Sequence, residues 1–150
     1  MIELHIPAVP IAQPRQRTRA DIKDDGIIAV QNYTPTKHAV NVFKATVRMV
    51  AAVQYKGAPL EGPLRVEIVL VFPRPRKLIW KTRPMPRRWH TIAPDSDNVA
   101  KAVKDSLSQL TFRDDSQVCD LDVKKFIAAG DEQPHATIKI IQLATLQGEE

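Results

Sequence analysis

The segment Leu64–Phe72 constrains this chain most. Leu64, Val66, Ile68, Leu70 and Phe72 alternate with Arg65, Glu67, Val69 and Val71, the two-residue period of a strand that is apolar on one face and partly apolar on the other. Such a strand needs a cover, and Pro73 ends it because proline cannot donate to a ladder. Two amphipathic helices are predicted to supply the cover. Ala39, Val40, Phe43, Val47 and Val50 recur at helical steps within residues 36–54, with Thr36 as the cap and Gly57 and Pro59 beyond the end. Val99, Ala102, Val103, Leu107 and Leu110 share one face over residues 97–110, opposite Asp97, Lys101, Lys104 and Asp105. Ile2–Ile6, residues 117–127 and residues 136–143 read as further strands, separated by turn residues such as Asp114-Asp115-Ser116 and Gly130-Asp131. The order βαβαββ predicts an α+β fold, a mixed sheet with both helices packed on it.

A length of 150 residues matches one domain, with residues 145–150 expected as a flexible tail. A domain of this size buries enough surface to fold without a metal or disulfide staple. Cys119 is the single cysteine and has no internal partner; inside a predicted strand it is expected as a small buried hydrophobe. With neither a signal stretch nor eighteen uninterrupted apolar residues, the chain reads as a soluble protein of a reducing compartment, with no membrane partner. Twenty-two Lys and Arg against 17 Asp and Glu leave a net charge of +5, which favours a polyanionic partner.

The charge is segregated by sign. Residues 7–36 carry Pro7, Pro10, Pro14 and Pro35, the bases Arg15, Arg17, Arg19 and Lys23, and the turn pair Asp25-Gly26, so they read as a loop or a small hairpin. Between Phe72 and His90 stand Arg74, Arg76, Lys77, Lys81, Arg83, Arg87 and Arg88, with prolines, Trp80 and Trp89, and no acid. Arginines gathered this way in a proline-rich loop suit phosphate contact. The two tryptophans either pack against the domain or stack on unpaired bases.

Acids follow at once: Asp95, Asp97, Asp105, Asp114, Asp115, Asp120 and Asp122. Asp95 and Asp97 stand at the start of the second helix. There a single aspartate would serve as an N-cap, but one cap does not need two carboxylates and a lysine one turn on. Lys101 follows Asp97 by four residues, a spacing that also suits a surface ion pair. Asp114 and Asp115 suit a turn. Taken together, several carboxylates near a basic loop fit Mg²⁺, a hard cation that takes oxygen ligands and substrate phosphate oxygens.

The string Pro94-Asp95-Ser96-Asp97-Asn98-Val99-Ala100-Lys101, then Asp105-Ser106-Leu107, then Asp114-Asp115-Ser116-Gln117-Val118 resembles the D-x-D-N-x-x-K … D-x-L … D-D-x-Q-V signature of the RusA-type Holliday junction resolvases, a group of bacterial and phage endodeoxyribonucleases. Ile6-Pro7, Gln13-Pro14-Arg15 and Tyr33-Thr34-Pro35 are similar to the amino-terminal half of phage-type members. The resemblance covers nearly the whole chain. It implies a cytoplasmic homodimer that binds a four-way DNA junction and nicks two strands symmetrically with Mg²⁺, Mn²⁺ being an alternative metal. Carried over by position, Asp95, Asp97 and Asp115 are the metal carboxylates, Asp114 is the further candidate ligand, and Lys101 is the catalytic lysine. The three carboxylates are then expected to converge around one metal-sized space. Arg15, Arg17, Arg19, Arg74, Arg76, Lys77, Lys81, Arg87 and Arg88, with Trp80 and Trp89, are the candidate DNA contacts.

His5, His38, His90 and His135 lack ligand spacing, which argues against zinc. Two other functions remain open from the residues: a DNA-binding or replication accessory protein without turnover, and a branched-DNA or flap nuclease without four-way preference. The carboxylate set with Lys101 argues against the first, since unneutralised acids would repel phosphate.

Overall fold

The computed structural model describes residues 1–14, 17–33 and 38–148. Strands β1 (Ile2–Ile6), β4 (Leu64–Phe72), β5 (Arg88–Trp89), β6 (Val118–Ile127) and β7 (His135–Gln142) form one mixed sheet in the order β1-β7-β4-β6-β5. Helices α1 (Ala39–Gln54) and α2 (Ser96–Leu107) complete the α+β architecture. A separate hairpin, β2 (Arg17–Ile22) with β3 (Ile28–Tyr33), turns at Asp25 and Gly26, where Gly26 takes a φ of 80° that favours glycine. The predicted order therefore holds, with the hairpin and the two-residue β5 added. Thr36, the expected cap of α1, lies outside the described residues; at His38 the ring Nδ1 accepts from the Val40 N–H at 3.1 Å. The helix α2 stops at Leu107, short of the predicted end, because Gln109 turns into the left-handed region with φ 70°.

The alternation of β4 sorts the sheet into two faces. Leu64, Val66, Ile68, Leu70 and Phe72 are buried on the face that joins Val40, Phe43 and Val47 of α1 and Val99, Val103 and Leu107 of α2 in one core. On the other face Arg65 pairs with Glu67 at 3.0 Å and with Asp120, and Lys124 pairs with Asp122 at 2.6 Å. A register shift explains Cys119: Leu64 faces Val118 while Arg65 faces Asp120, so Cys119 is the extra residue of a bulge and is exposed rather than buried. Bulged residues leave the ladder and change the facing of those around them.

The chain between β4 and β6 sets the geometry that matters for function. These strands are parallel neighbours over nine paired residues, Leu64↔Val118 to Phe72↔Ile127, so the connection must return from the end of β4 to the start of β6. It does so through β5 and α2. The returning end is held by Gln117, whose side-chain amide donates to the carbonyls of Leu60 and Gly62 at 3.0 Å each. Its oxygen accepts from the N–H groups of Arg113 at 2.8 Å and Asp114 at 2.9 Å. Gln117→Leu removes all four of these bonds, and an expected loss of roughly 1–3 kcal/mol, the cost of stranding such groups, can be read from the urea unfolding midpoint.

Candidate active site and nucleic-acid interface

The lead-in to α2 is fixed from β6. Lys125 occupies a core-facing position of that strand, opposite Leu70, where the alternation calls for an apolar residue. Its ammonium donates to the carbonyls of Ile92 at 2.8 Å and Pro94 at 2.6 Å, while its own carbonyl accepts from the His90 N–H at 3.1 Å. The His90 ring stacks on Phe72 at 4.6 Å, and burial first, then the Lys125 charge, lower its pKa. Sequence reasoning missed Lys125. A lysine between Val123 and Ile127 on the inward-facing side was the available signal.

Asp95 follows directly and occupies the N-cap position, yet its carboxylate makes no capping hydrogen bond. Asp97 is in the first turn of α2 and Lys101 one turn further, and all three side chains are exposed. Among the described residues, Asp95 makes no side-chain cap bond and neither Asp97 nor Lys101 forms an ion pair. The other acids sort differently. Asp105 lies 3.8 Å from Lys44, and Asp120 and Asp122 belong to the Arg65 and Lys124 pairs. Asp114 caps the short 3₁₀ turn Asp115–Gln117 and accepts from the Ser116 hydroxyl; that hydrogen bond is the first cause holding its carboxyl below the ordinary range. Among the described ion pairs, Asp95, Asp97, Asp115 and Lys101 take no part. Of the adjacent pair, Asp115 is therefore the one whose carboxylate is not committed to the cap.

Asp115, half-buried, opens the 3₁₀ turn just before β6. Among the described residues no three acidic, histidine or cysteine side chains gather at a spacing that could hold a metal ion. The single chain accordingly presents Asp95 and Asp97 together at the start of α2 and Asp115 at the start of β6. Two carboxylates outside the described ion pairs suit Mg²⁺, which ordinarily takes one or two from protein and the rest from water and phosphate.

The basic segments border the start of α2. The N–H of Gln13 donates to the Asn98 carbonyl at 3.0 Å, which anchors the chain leading to the first basic run beside Asp97. Arg15 and the side chains of Arg17 and Arg19 lie outside the described residues. The second basic segment leaves the same end of β4, and its side chains divide into two groups. Arg74 is consumed by the loop: Nε donates to the Leu78 carbonyl at 2.7 Å and Nη1 to those of Pro86 at 2.9 Å and Ala128 at 3.2 Å. Arg87 is held by Glu132 through Nε at 2.9 Å, and the guanidinium holds that carboxyl below its ordinary value. Arg76, Lys77, Lys81, Arg83 and Arg88 are exposed.

The tryptophans also part. Trp80 is half-buried, with the Arg83 guanidinium 4.0 Å and that of Arg74 5.1 Å from its ring. Trp89 is 63% exposed and stacks on Phe126 at 4.6 Å, so one indole face is supported and the other is open. The geometry separates two effects that charge alone would merge. Arg74→Ala is expected to lower the melting temperature with little change in the salt dependence of DNA binding. Arg88→Ala should leave melting unchanged and flatten that dependence, a split checked by calorimetry and binding titrations at several salt concentrations.

The start of α2 thus carries a carboxylate pair outside the described ion pairs, a lysine one turn on and an exposed basic loop alongside. The chain belongs to the endodeoxyribonuclease RusA family, whose profile matches residues 7–141. It is also 28% identical over 148 residues, covering 95% of this chain and 97% of the relative, to the uncharacterized protein YqaN of Bacillus subtilis strain 168. Membership makes it one of a family of endodeoxyribonucleases, hydrolases acting on DNA. No described helix is long and apolar enough to cross a membrane.

Proposed function

We propose that this protein is a Mg²⁺-dependent endodeoxyribonuclease that resolves four-way DNA junctions by symmetric nicking of two strands, acting as a homodimer. The observation that carries this reading is the sorting of the acids. Asp105, Asp114, Asp120 and Asp122 are engaged in ion pairs or a cap, while Asp95, Asp97 and Asp115 remain outside the described ion pairs, two of them at the end of the sheet from which the exposed basic loop springs. Carboxylates left unpaired beside a basic DNA-facing loop repel phosphate unless a cation joins them.

Asp95 and Asp97 would hold the metal, with Asp115 as the third carboxylate; Mn²⁺, also an oxygen-ligand cation, would serve in its place. When bound, such an ion supplies an activated water and neutralises charge on the phosphoryl oxygens. Lys101 acts as a positive charge toward the reacting phosphate. Arg76, Lys77, Lys81, Arg83 and Arg88 track the backbone, and the open face of Trp89 offers a platform for an unstacked base. Two symmetric cuts ask for two sites related by a two-fold axis.

Matched four-way, three-way and linear duplexes, each with and without Mg²⁺, test the reading. Paired nicks in the four-way substrate only with metal are the expected result; binding without cleavage would reduce the protein to a DNA-binding module. Asp97→Asn is expected to cut turnover by on the order of a hundredfold or more, beyond a typical effect of outer-shell residues, with junction affinity retained. Lys101→Ala should likewise lower the rate far more than the affinity.

A further inference from the structure

A concavity lies a few residues ahead of the carboxylates. Its volume is about 240 Å³, and Leu78, Ile92 and Ile127 give it apolar lining while Lys77 and Arg88 bring cations to its wall. Both cations are exposed and enter none of the described ion pairs. The ladder fixes the side of the sheet on which the cavity lies. Arg88 faces Ile127, which in turn faces the core residue Phe72, and residues opposite one another in a ladder share a face. The cavity therefore lies on the side that α2 covers. Trp89 also borders it, but pairs with Phe126 and stacks its ring there, one position along and so toward the other face. One ammonium ties the cavity to the carboxylates. Lys125 Nζ donates to the carbonyl of Ile92 at 2.8 Å, in the cavity wall, and to that of Pro94 at 2.6 Å, next to Asp95. The three residue steps from Ile92 to Asp95 reach at most roughly 11 Å, at about 3.6 Å each.

We propose that this cavity takes one unstacked base of the DNA substrate, and that Lys125 holds the cavity wall at a set distance from Asp95 and Asp97, so that the captured base selects the bond to be cut. The inference rests on the proposed nuclease reading and deepens it. A nucleotide has the matching chemistry: a flat base with apolar faces, next to a phosphate that pairs with cations such as Lys77 and Arg88. The volume falls short of the roughly 300–1,000 Å³ of sites for drug-sized ligands, which leaves room for a single base and not for a stacked run. A base already unpaired at a branch point enters at less cost than one drawn from intact duplex. A reach of roughly 11 Å corresponds to about three steps of 3.4 Å along a stacked strand, so the occupant stands within about three nucleotides of the bond that faces the carboxylates. Ile92, 72% exposed in the free chain, gains its cover from the base.

Fluorescent bases test this directly. 2-Aminopurine and pyrrolo-deoxycytidine, both quenched by stacking, are placed in turn at each position near the centre of a four-way junction, and binding is followed with the Asp97→Asn chain in Mg²⁺ so that the strands stay whole. The probe at one position close to the wild-type cut is expected to brighten severalfold and to resist quenching by acrylamide, since a base in a cavity is shielded and a base merely unpaired is not. Ile92→Ser opens the wall and Ile92→Trp fills the space; the side chain is exposed, so neither disturbs the core. Added to Asp97→Asn, each should abolish the shielded signal while junction affinity falls only severalfold. In the otherwise wild-type chain, Ile92→Ser should spread the nicks over neighbouring bonds, with the total nicking rate reduced only severalfold. No brightening at any position, a bright base that acrylamide quenches freely, or a shielded signal that survives both Ile92 variants overturns the inference and leaves the nuclease reading intact. Failure of the wild-type chain to cut the same junctions with Mg²⁺ would instead remove the nuclease reading and, with it, the choice of bond by the captured base.

Discussion

The parallel pairing of β4 with β6 is the constraint on which the rest of this structure depends. Parallel neighbours cannot be joined by a hairpin, so the chain leaves the end of Phe72, passes through β5 and α2, and returns to Val118. That single requirement puts the start of α2 beside the exposed basic loop and the Asp114-Asp115 turn at the far edge. It also explains an otherwise anomalous lysine. Lys125 stands where a core-facing aliphatic residue belongs, and its ammonium instead satisfies two carbonyls of the segment that delivers Asp95 to the helix. Charge-assisted bonds of this kind are among the stronger polar contacts.

Electrostatics then divides acids that the sequence presents as one crowd. On the sheet face away from the helices, Arg65 and Lys124 take up Asp120 and Asp122; at the β6 lead-in, Asp114 is spent on its own turn. The bases divide in the same way. Arg74 knits the loop together and Arg87 closes on Glu132, so neither is as available to phosphate as Arg76 or Arg88. The basic loop is held in shape by some of its cations and left free to meet a polyanion through the others. Such a division lets a proline-rich segment without a core of its own keep a defined surface.

Much of this was legible in the residues. The strands Ile2–Ile6 and Leu64–Phe72 have the predicted bounds because their alternation is uninterrupted. The hairpin was readable only as an alternative to a loop, and β5 not at all, since two residues carry no period. Cys119 was misread because a bulge breaks the alternation on which its burial was inferred. At the site, the uncommitted Asp95-Asp97 pair with Lys101 follows from the motif's helical spacing. The separation of Asp115 does not, because a linear motif is silent on which edge of a sheet each part occupies; it emerges only once β4 and β6 are known to be parallel neighbours. Lys125 escaped notice for a related reason, its partners being backbone carbonyls that no side-chain pattern reveals.

The central claim is that Asp95 and Asp97, with Lys101 one turn on, hold a divalent cation for DNA hydrolysis. Anomalous diffraction from a crystal of the wild-type protein grown with Mn²⁺ tests it most directly. The account predicts an anomalous peak at the start of α2, within ligand distance of the Asp95 and Asp97 carboxylates. Mn²⁺ peaks that all lie away from Asp95 and Asp97 would contradict it.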